Sequence, residues 1–278
     1  MSEPDAEEFH ALRREPDPII RGRRATELLA LYQQRSTELA RLRRAAIEEA
    51  RDQLGGSYTE VAKAFGLTKG RITQIRQTAP VPERAFYGVG PITIAIPGRV
   101  FPGRRDLVIA SEDDETADIM TAELHRLAFH SERYRVDPEQ PWTPAGDAVV
   151  ICGPVSAPVG GELLARDPVL SFVQLEGGRW VLERRDTGEQ FASPIDDDRH
   201  DERDVAYLAR HQGDDHVIVH LAGVHALGSI AAATHLAAGL QETWREMGET
   251  SFSMVVRGTF EDQKPTRVDV LAGPIRWS

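Results

Sequence analysis

Cysteine, metal-ligand pairs and long apolar runs are all scarce in this chain. Cys152 is the only cysteine among 278 residues, so no internal disulfide can form and a reducing, cytoplasmic setting is expected. No apolar run reaches the roughly 20 residues that span a bilayer, so no membrane partner is expected. The opening stretch, Met1 to Glu8, is acidic and lacks the basic-then-apolar plan of an export signal. His216 and His220 share a strand face, and His225 and His235 follow, but no second ligand pair has zinc spacing. The acid-rich stretch Asp196–Asp204 lacks the spacing of a calcium loop and reads as a solvated loop. No metal is therefore expected. No Ser-His-Asp set or paired carboxylates are legible, so no catalytic residues are assigned.

What is present is a divided charge. The chain carries −11 overall, yet residues 21–80 hold twelve Lys and Arg against six Asp and Glu, while residues 81–278 hold nineteen against thirty-two. A basic segment beside an acidic remainder would turn one end of the protein toward a polyanion. Within the basic segment, residues 57–77 read as two short helices joined at Gly66. Val61, Ala62 and Phe65 give one apolar face, and Leu67, Ile72 and Ile75 give another that can close on it. Thr68 suits the cap of the second helix. The residues assigned to an outward, donor-bearing surface are Thr68, Lys69, Gly70, Arg71, Thr73, Gln74, Arg76 and Gln77.

This segment resembles the helix-turn-helix of bacterial regulators, most closely the region-4 type of sigma factors. Ala62 stands where that family has a small residue, Gly66 where it opens the turn, and Ile72 and Ile75 where it anchors the second helix. The likeness covers residues 57–77 only, and nothing elsewhere resembles the promoter-melting part of a sigma factor. It implies double-stranded DNA as partner and, from the habit of such proteins, a homodimer.

Along the rest of the chain, residues 1–20 read as a flexible tail. Residues 21–80 read as a helical DNA-binding domain, 81–90 as a linker around Pro80 and Pro82, and 91–278 as an α/β ligand-sensing domain. In the helical part Leu28, Tyr32, Leu39, Leu42, Ala46 and Ala50 recur at helical spacing, on one long helix or two. In the second part strands are expected at 92–96, 106–110, 148–152, 216–221, 252–260 and 266–271, with helices over 113–130 and 230–247 and a hairpin about residues 176–179. The fold class is thus multidomain: an all-α helix-turn-helix domain, then an α/β, loosely Rossmann-like domain with a mainly parallel sheet.

Two strand-loop-helix passages in that domain read as ligand cradles. One holds Gly153, Pro154, Ser156, Gly160 and Gly161; the other holds Gly223, His225, Gly228 and Ser229. Glycine admits an anion close to backbone N–H groups, and a following helix N-terminus favours negative charge. The lysine of a phosphate loop is absent, since Ser229 follows Gly228 directly, so ATP hydrolysis of that kind is not expected. No cofactor is identified; the expected ligand is a small, phosphate-containing, nucleotide-like molecule. The reading is a DNA-binding transcription regulator with a ligand-sensing α/β domain; its alternative is a nucleotide-binding enzyme or effector with an N-terminal tethering domain.

Overall fold

The computed structural model describes residues 4–103 and 106–277. The chain divides into two compact units, Met1–Pro82 and Glu83–Ser278.

The first unit is all helical: α1 (Pro4–Arg14), α2 (Pro18–Gln53), α3 (Tyr58–Ala64) and α4 (Lys69–Thr78). Most of the segment expected to be a tail is therefore ordered helix, and its residues 1–3 lie outside the described residues. The reason is local. Asp17 accepts from the N–H groups of Ile19 and Ile20 at 2.8 and 3.3 Å, and Pro18 opens α2 where no N–H is needed. Phe9 of α1 stacks on Tyr32 of α2 with ring centroids 5.8 Å apart. α2 runs unbroken for 36 residues, about 54 Å at 1.5 Å per residue. Its far end meets α3 and α4: Ile47, Val61, Ala62, Ile72, Ile75 and Ala79 form one buried cluster. Phe65, expected on the inner face, lies outside that cluster and is 38% exposed.

The segment expected as a linker is instead packed. Pro82–Tyr87 forms a 3-10 turn whose Phe86 and Tyr87 sit in the main core of the second unit. Two large aromatic side chains have more to gain from burial than from solvent. Arg210, itself buried, donates to the Phe86 carbonyl at 2.9 Å. Asp147 accepts from Val89 and Gly90 N–H through one oxygen and from Val217 N–H through the other.

The second unit is built on a seven-stranded sheet in the order β10-β9-β7-β8-β3-β1-β2. Its strands are β1 (Ile92–Pro97), β2 (Ser131–Val136), β3 (Ala148–Ile151), β7 (Arg203–Gln212), β8 (Val217–Gly223), β9 (Phe252–Glu261) and β10 (Lys264–Arg276). The sheet is mixed rather than mainly parallel. β2, β1, β3 and β8 pair in parallel, whereas β8–β7, β7–β9 and β9–β10 are antiparallel. Connection length decides this. β9 and β10 are joined by Asp262 and Gln263 alone, both at positive φ, and β7 reaches β8 through residues 213–216. Links so short admit only antiparallel neighbours, and β9, which returns through α7 in the same direction as β8, lies antiparallel on the other side of β7.

Side chains alternate across the sheet. Ile92, Ile94 and Ile96 face α5 (Ser111–Arg126) and α7 (Ala226–Met247). Ala95, Val150 and Ile218 face α6 (Pro158–Ala165). Beyond α6 the same face is covered by a small antiparallel sheet of β4 (Leu170–Gln174), β5 (Trp180–Arg184) and β6 (Gln190–Ala192). The strand expected at 106–110 does not form: Val108 makes only an isolated bridge to Arg99. Acidic Glu112, Asp113 and Asp114 occupy the first turn of α5, where they favour the positive end of the helix.

Among the described residues no helix is long and apolar enough to cross a membrane.

Candidate functional site

Two surfaces hold the residues singled out in the sequence. The first is α4. Thr68 accepts from Arg71 N–H at 3.2 Å and starts the helix; Gly66, at φ +65°, makes the turn that a residue with Cβ would resist. Ile72 and Ile75 point inward, which leaves Thr68, Lys69, Gly70, Arg71, Thr73, Gln74 and Gln77 exposed. Arg71 donates to the Gln74 amide oxygen at 2.6 Å, so two long polar side chains are held side by side on the outer face. Arg76 is placed differently from the rest. It is half-buried, and its Nε donates to Glu48 of α2 at 2.6 Å. The α4 face is thus a row of hydrogen-bond donors and acceptors on a helix whose back is locked by apolar contacts.

The second surface is the carboxyl edge of the parallel strands. β2, β1, β3 and β8 run the same way, so their following loops emerge together. β1 leads to α5 on one face; its neighbour β3 leads to α6 on the other. A crevice opens where adjacent strands send their connections to opposite faces. A cleft of about 370 Å³ lies there, lined by Pro97–Val100 after β1, Pro138 and Glu139 after β2, and Val155 and Ser156 after β3. Arg99 ion-pairs with Asp113 at 3.0 Å at the start of α5. Burial pushes the Asp113 carboxyl up, against the hydrogen bond and charge of Arg99, and the net direction is upward. Ser156 is the expected residue that reaches this cleft; Gly153 and Pro154 are half-buried in the turn beside it. Gly160 and Gly161 are not loop residues at all but lie inside α6. A Cβ at Gly160 would press into the carbonyl oxygens of Gly153 and Cys152, so this glycine lets the helix pack against the strand end. Arg99, Pro138 and Glu139 were missed because they come from loops without a glycine pattern.

The β8–α7 loop, also at this edge, holds a different surprise. The N–H groups that read as an anion cradle already have an acceptor. Asp204, fully buried at the start of β7, takes the Gly228 N–H at 2.6 Å and the His225 N–H at 3.2 Å through Oδ2. Its Oδ1 takes Val205 N–H at 2.8 Å and the Ser193 hydroxyl at 2.7 Å. Burial pushes this carboxyl above its ordinary range, although Ser193, His225 and the backbone donors act the other way. Gly228 is needed for contact: a Cβ there would stand 2.5 Å from the Val205 carbonyl oxygen and 2.8 Å from Gly223 Cα. Ser229 is buried, and its hydroxyl accepts from Gly223 N–H at 3.0 Å. His225 alone faces solvent, with Nε2 3.0 Å from Asp196. Asp204 stands 24 positions before Gly228, inside a stretch read as a solvated loop, and no local pattern marks it.

Cys152 is inert by position, buried with its thiol pushed up by desolvation. Among the described residues no group of three or more His, Cys, Asp or Glu is arranged to hold a metal ion. No protein-family model, no curated protein and no solved structure matches the chain.

Proposed function

We propose that this chain is a DNA-binding transcription regulator, with α3 and α4 as a helix-turn-helix and the α/β unit as the sensor of a small, nucleotide-like ligand. The observation that carries the first half is the α4 face. Lys69, Arg71, Thr73, Gln74 and Gln77 are exposed on a helix whose Ile72 and Ile75 are buried. A major groove admits such a helix, and Arg and Gln are suited to guanine and adenine edges. The surrounding excess of basic residues favours phosphate. Two copies would read half-sites about 34 Å apart.

The test is selection of sequences from a random duplex pool by the full chain, followed by titration of the selected duplex. The Lys69→Ala/Arg71→Ala double variant is expected to lose roughly 2 kcal/mol or more of binding while its melting temperature stays near the parent's. Equal affinity of variant and parent would remove α4 from the DNA-reading role.

The sensor half rests on the cleft at the strand edge, where open α/β sheets bind ligands. With the β8–α7 cradle filled by Asp204, the Rossmann-like reading moves the ligand to the neighbouring crevice beside Arg99 and Ser156. A panel of nucleotides should contain members that raise the melting temperature of the parent but not of Ser156→Tyr, whose ring fills the cleft without breaking the Arg99–Asp113 pair. Shifts of equal size in both proteins would move the ligand elsewhere.

A further inference from the structure

The side of α4 turned toward α2 carries a polar cluster at the border of the apolar core, on which the Tyr58 ring packs, apart from the exposed donor row. Arg76 Nε donates to Glu48 Oε1 at 2.6 Å, and the Tyr58 hydroxyl donates to Glu48 Oε2 at 2.8 Å. The Arg76 guanidinium lies 4.2 Å from the centroid of the Tyr58 ring, and that of Arg51 lies 5.1 Å from it. Arg51 also approaches Glu48 Oε2 at 3.7 Å. Each helix contributes: Glu48 and Arg51 from α2, Tyr58 from the first turn of α3, Arg76 from the last turn of α4. Burial raises the Glu48 carboxyl, but the bonds from Arg76 and Tyr58 and the charges of Arg76 and Arg51 outweigh it and hold the group below its ordinary range.

An apolar contact such as Ile72 and Ile75 on Ile47 fixes how close two helices come. It resists rotation about the helix axis less, because dispersion has little direction. Charge-assisted hydrogen bonds do have direction. With side chains a helix is about 5–6 Å in radius, so a rotation of about 20° swings an outward tip by roughly 2 Å. That displacement exceeds what a hydrogen bond to a base edge tolerates.

We propose that the Glu48–Tyr58–Arg76 clamp is a positioning element: it sets the rotation of α4 and thereby which bases the outward residues reach. The proposal rests on the DNA reading above. It also reassigns Arg76 from contact to support.

The test uses the full chain and the duplex that the parent selects. Tyr58→Phe keeps the ring and removes two hydrogen bonds, the one donated to Glu48 and the one accepted from Arg51 Nη1 at 3.3 Å; Glu48→Gln keeps the shape and removes the charge. Both should remain folded by circular dichroism, because the apolar cluster is untouched. The preference for the selected duplex over its single-base variants should fall about tenfold in each. The salt slope of binding should stay at the parent value, because no phosphate contact is removed. An unchanged preference in both variants overturns the clamp while leaving the DNA reading in place. A shallower salt slope in Arg76→Met overturns it too, since Arg76 would then be a phosphate contact. A parent that selects no sequence overturns the DNA reading, and the clamp with it.

Discussion

Asp204→Ala is expected to melt about 10 °C below the parent, the largest loss of any single side chain near the carboxyl edge of the sheet. The substitution removes the acceptor for Gly228, His225 and Val205 N–H and for the Ser193 hydroxyl at once. Each buried donor left without a partner costs about 1–3 kcal/mol, and water entering the space recovers part of that. A net loss of roughly 3–5 kcal/mol follows, at about 2–4 °C per kcal/mol for a chain of this size. Asp204→Asn keeps one acceptor oxygen but turns an NH2 group toward backbone donors, so it should recover less than half of the loss. The same view gives the cradle a second test. If the N–H groups of the β8–α7 turn form an anion site that the protein fills itself, inorganic phosphate should raise the melting temperature of Asp204→Ala more than that of the parent. The parent arm is needed because phosphate stabilises folded proteins in general. A variant that melts within 2 °C of the parent, with or without phosphate, would show the carboxylate to be a bystander.

The turn around Asp204 also shows where sequence reasoning stops. Glycine spacing correctly marked a tight passage at Gly223–Ser229, but the same spacing serves a phosphate and a carboxylate alike. Choosing between them required a partner 24 residues away. β1, β3 and β8 were legible because each is a short apolar run, buried on both faces. β7 was not, although Val205–Ala209 is itself a buried apolar run, because it follows directly on the acid-rich stretch that reads as a solvated loop and ends in Arg210 and His211. Their burial depends on carbonyls and rings from distant segments, which no window along the chain contains. β2 failed for the opposite reason: as an edge strand with four exposed residues in six, it needs no apolar pattern. On α4 the inward isoleucines and the cap were readable from spacing alone. Arg76 was not, since its acceptor Glu48 lies on another helix. Periodicity reports which face is inside; it does not report which polar side chain on the border is already engaged.

Arg210 has carbonyl partners, whereas the histidines of that region make the last expectation an acid transition. His211 and His220 are buried on the face of the sheet covered by the smaller layer, with ring centroids 6.0 Å apart. Burial lowers the His211 pKa to about 3, helped by the charges of His220 and Arg166, and lowers that of His220 to about 4. The partner of His220 fixes its tautomer. Nε2 lies 2.7 Å from the Cys152 carbonyl oxygen and must donate, so Nδ1 carries the lone pair and has no partner. His211 Nε2 likewise has none. Protonation would put a new charged donor into apolar surroundings. In the unfolded chain both rings titrate near 6.5. Stability contributed by the neutral rings is therefore fully present above pH 6.5. It falls as pH drops, because the unfolded state takes up protons that the folded state refuses, and it levels off only near the folded values of about 4 and about 3. Each ring adds about 1.4 kcal/mol per pH unit within its window. Together they cost on the order of 5 kcal/mol by pH 4.5, comparable to the whole stability of many domains. Urea titrations at pH 7, 6, 5 and 4.5 should show this slope in the parent. They should show about half of it in His211→Phe, which keeps a ring against Trp277, and in His220→Gln, which keeps a donor for the Cys152 carbonyl. Parallel pH profiles in parent and variants would place the acid sensitivity in the carboxylates instead.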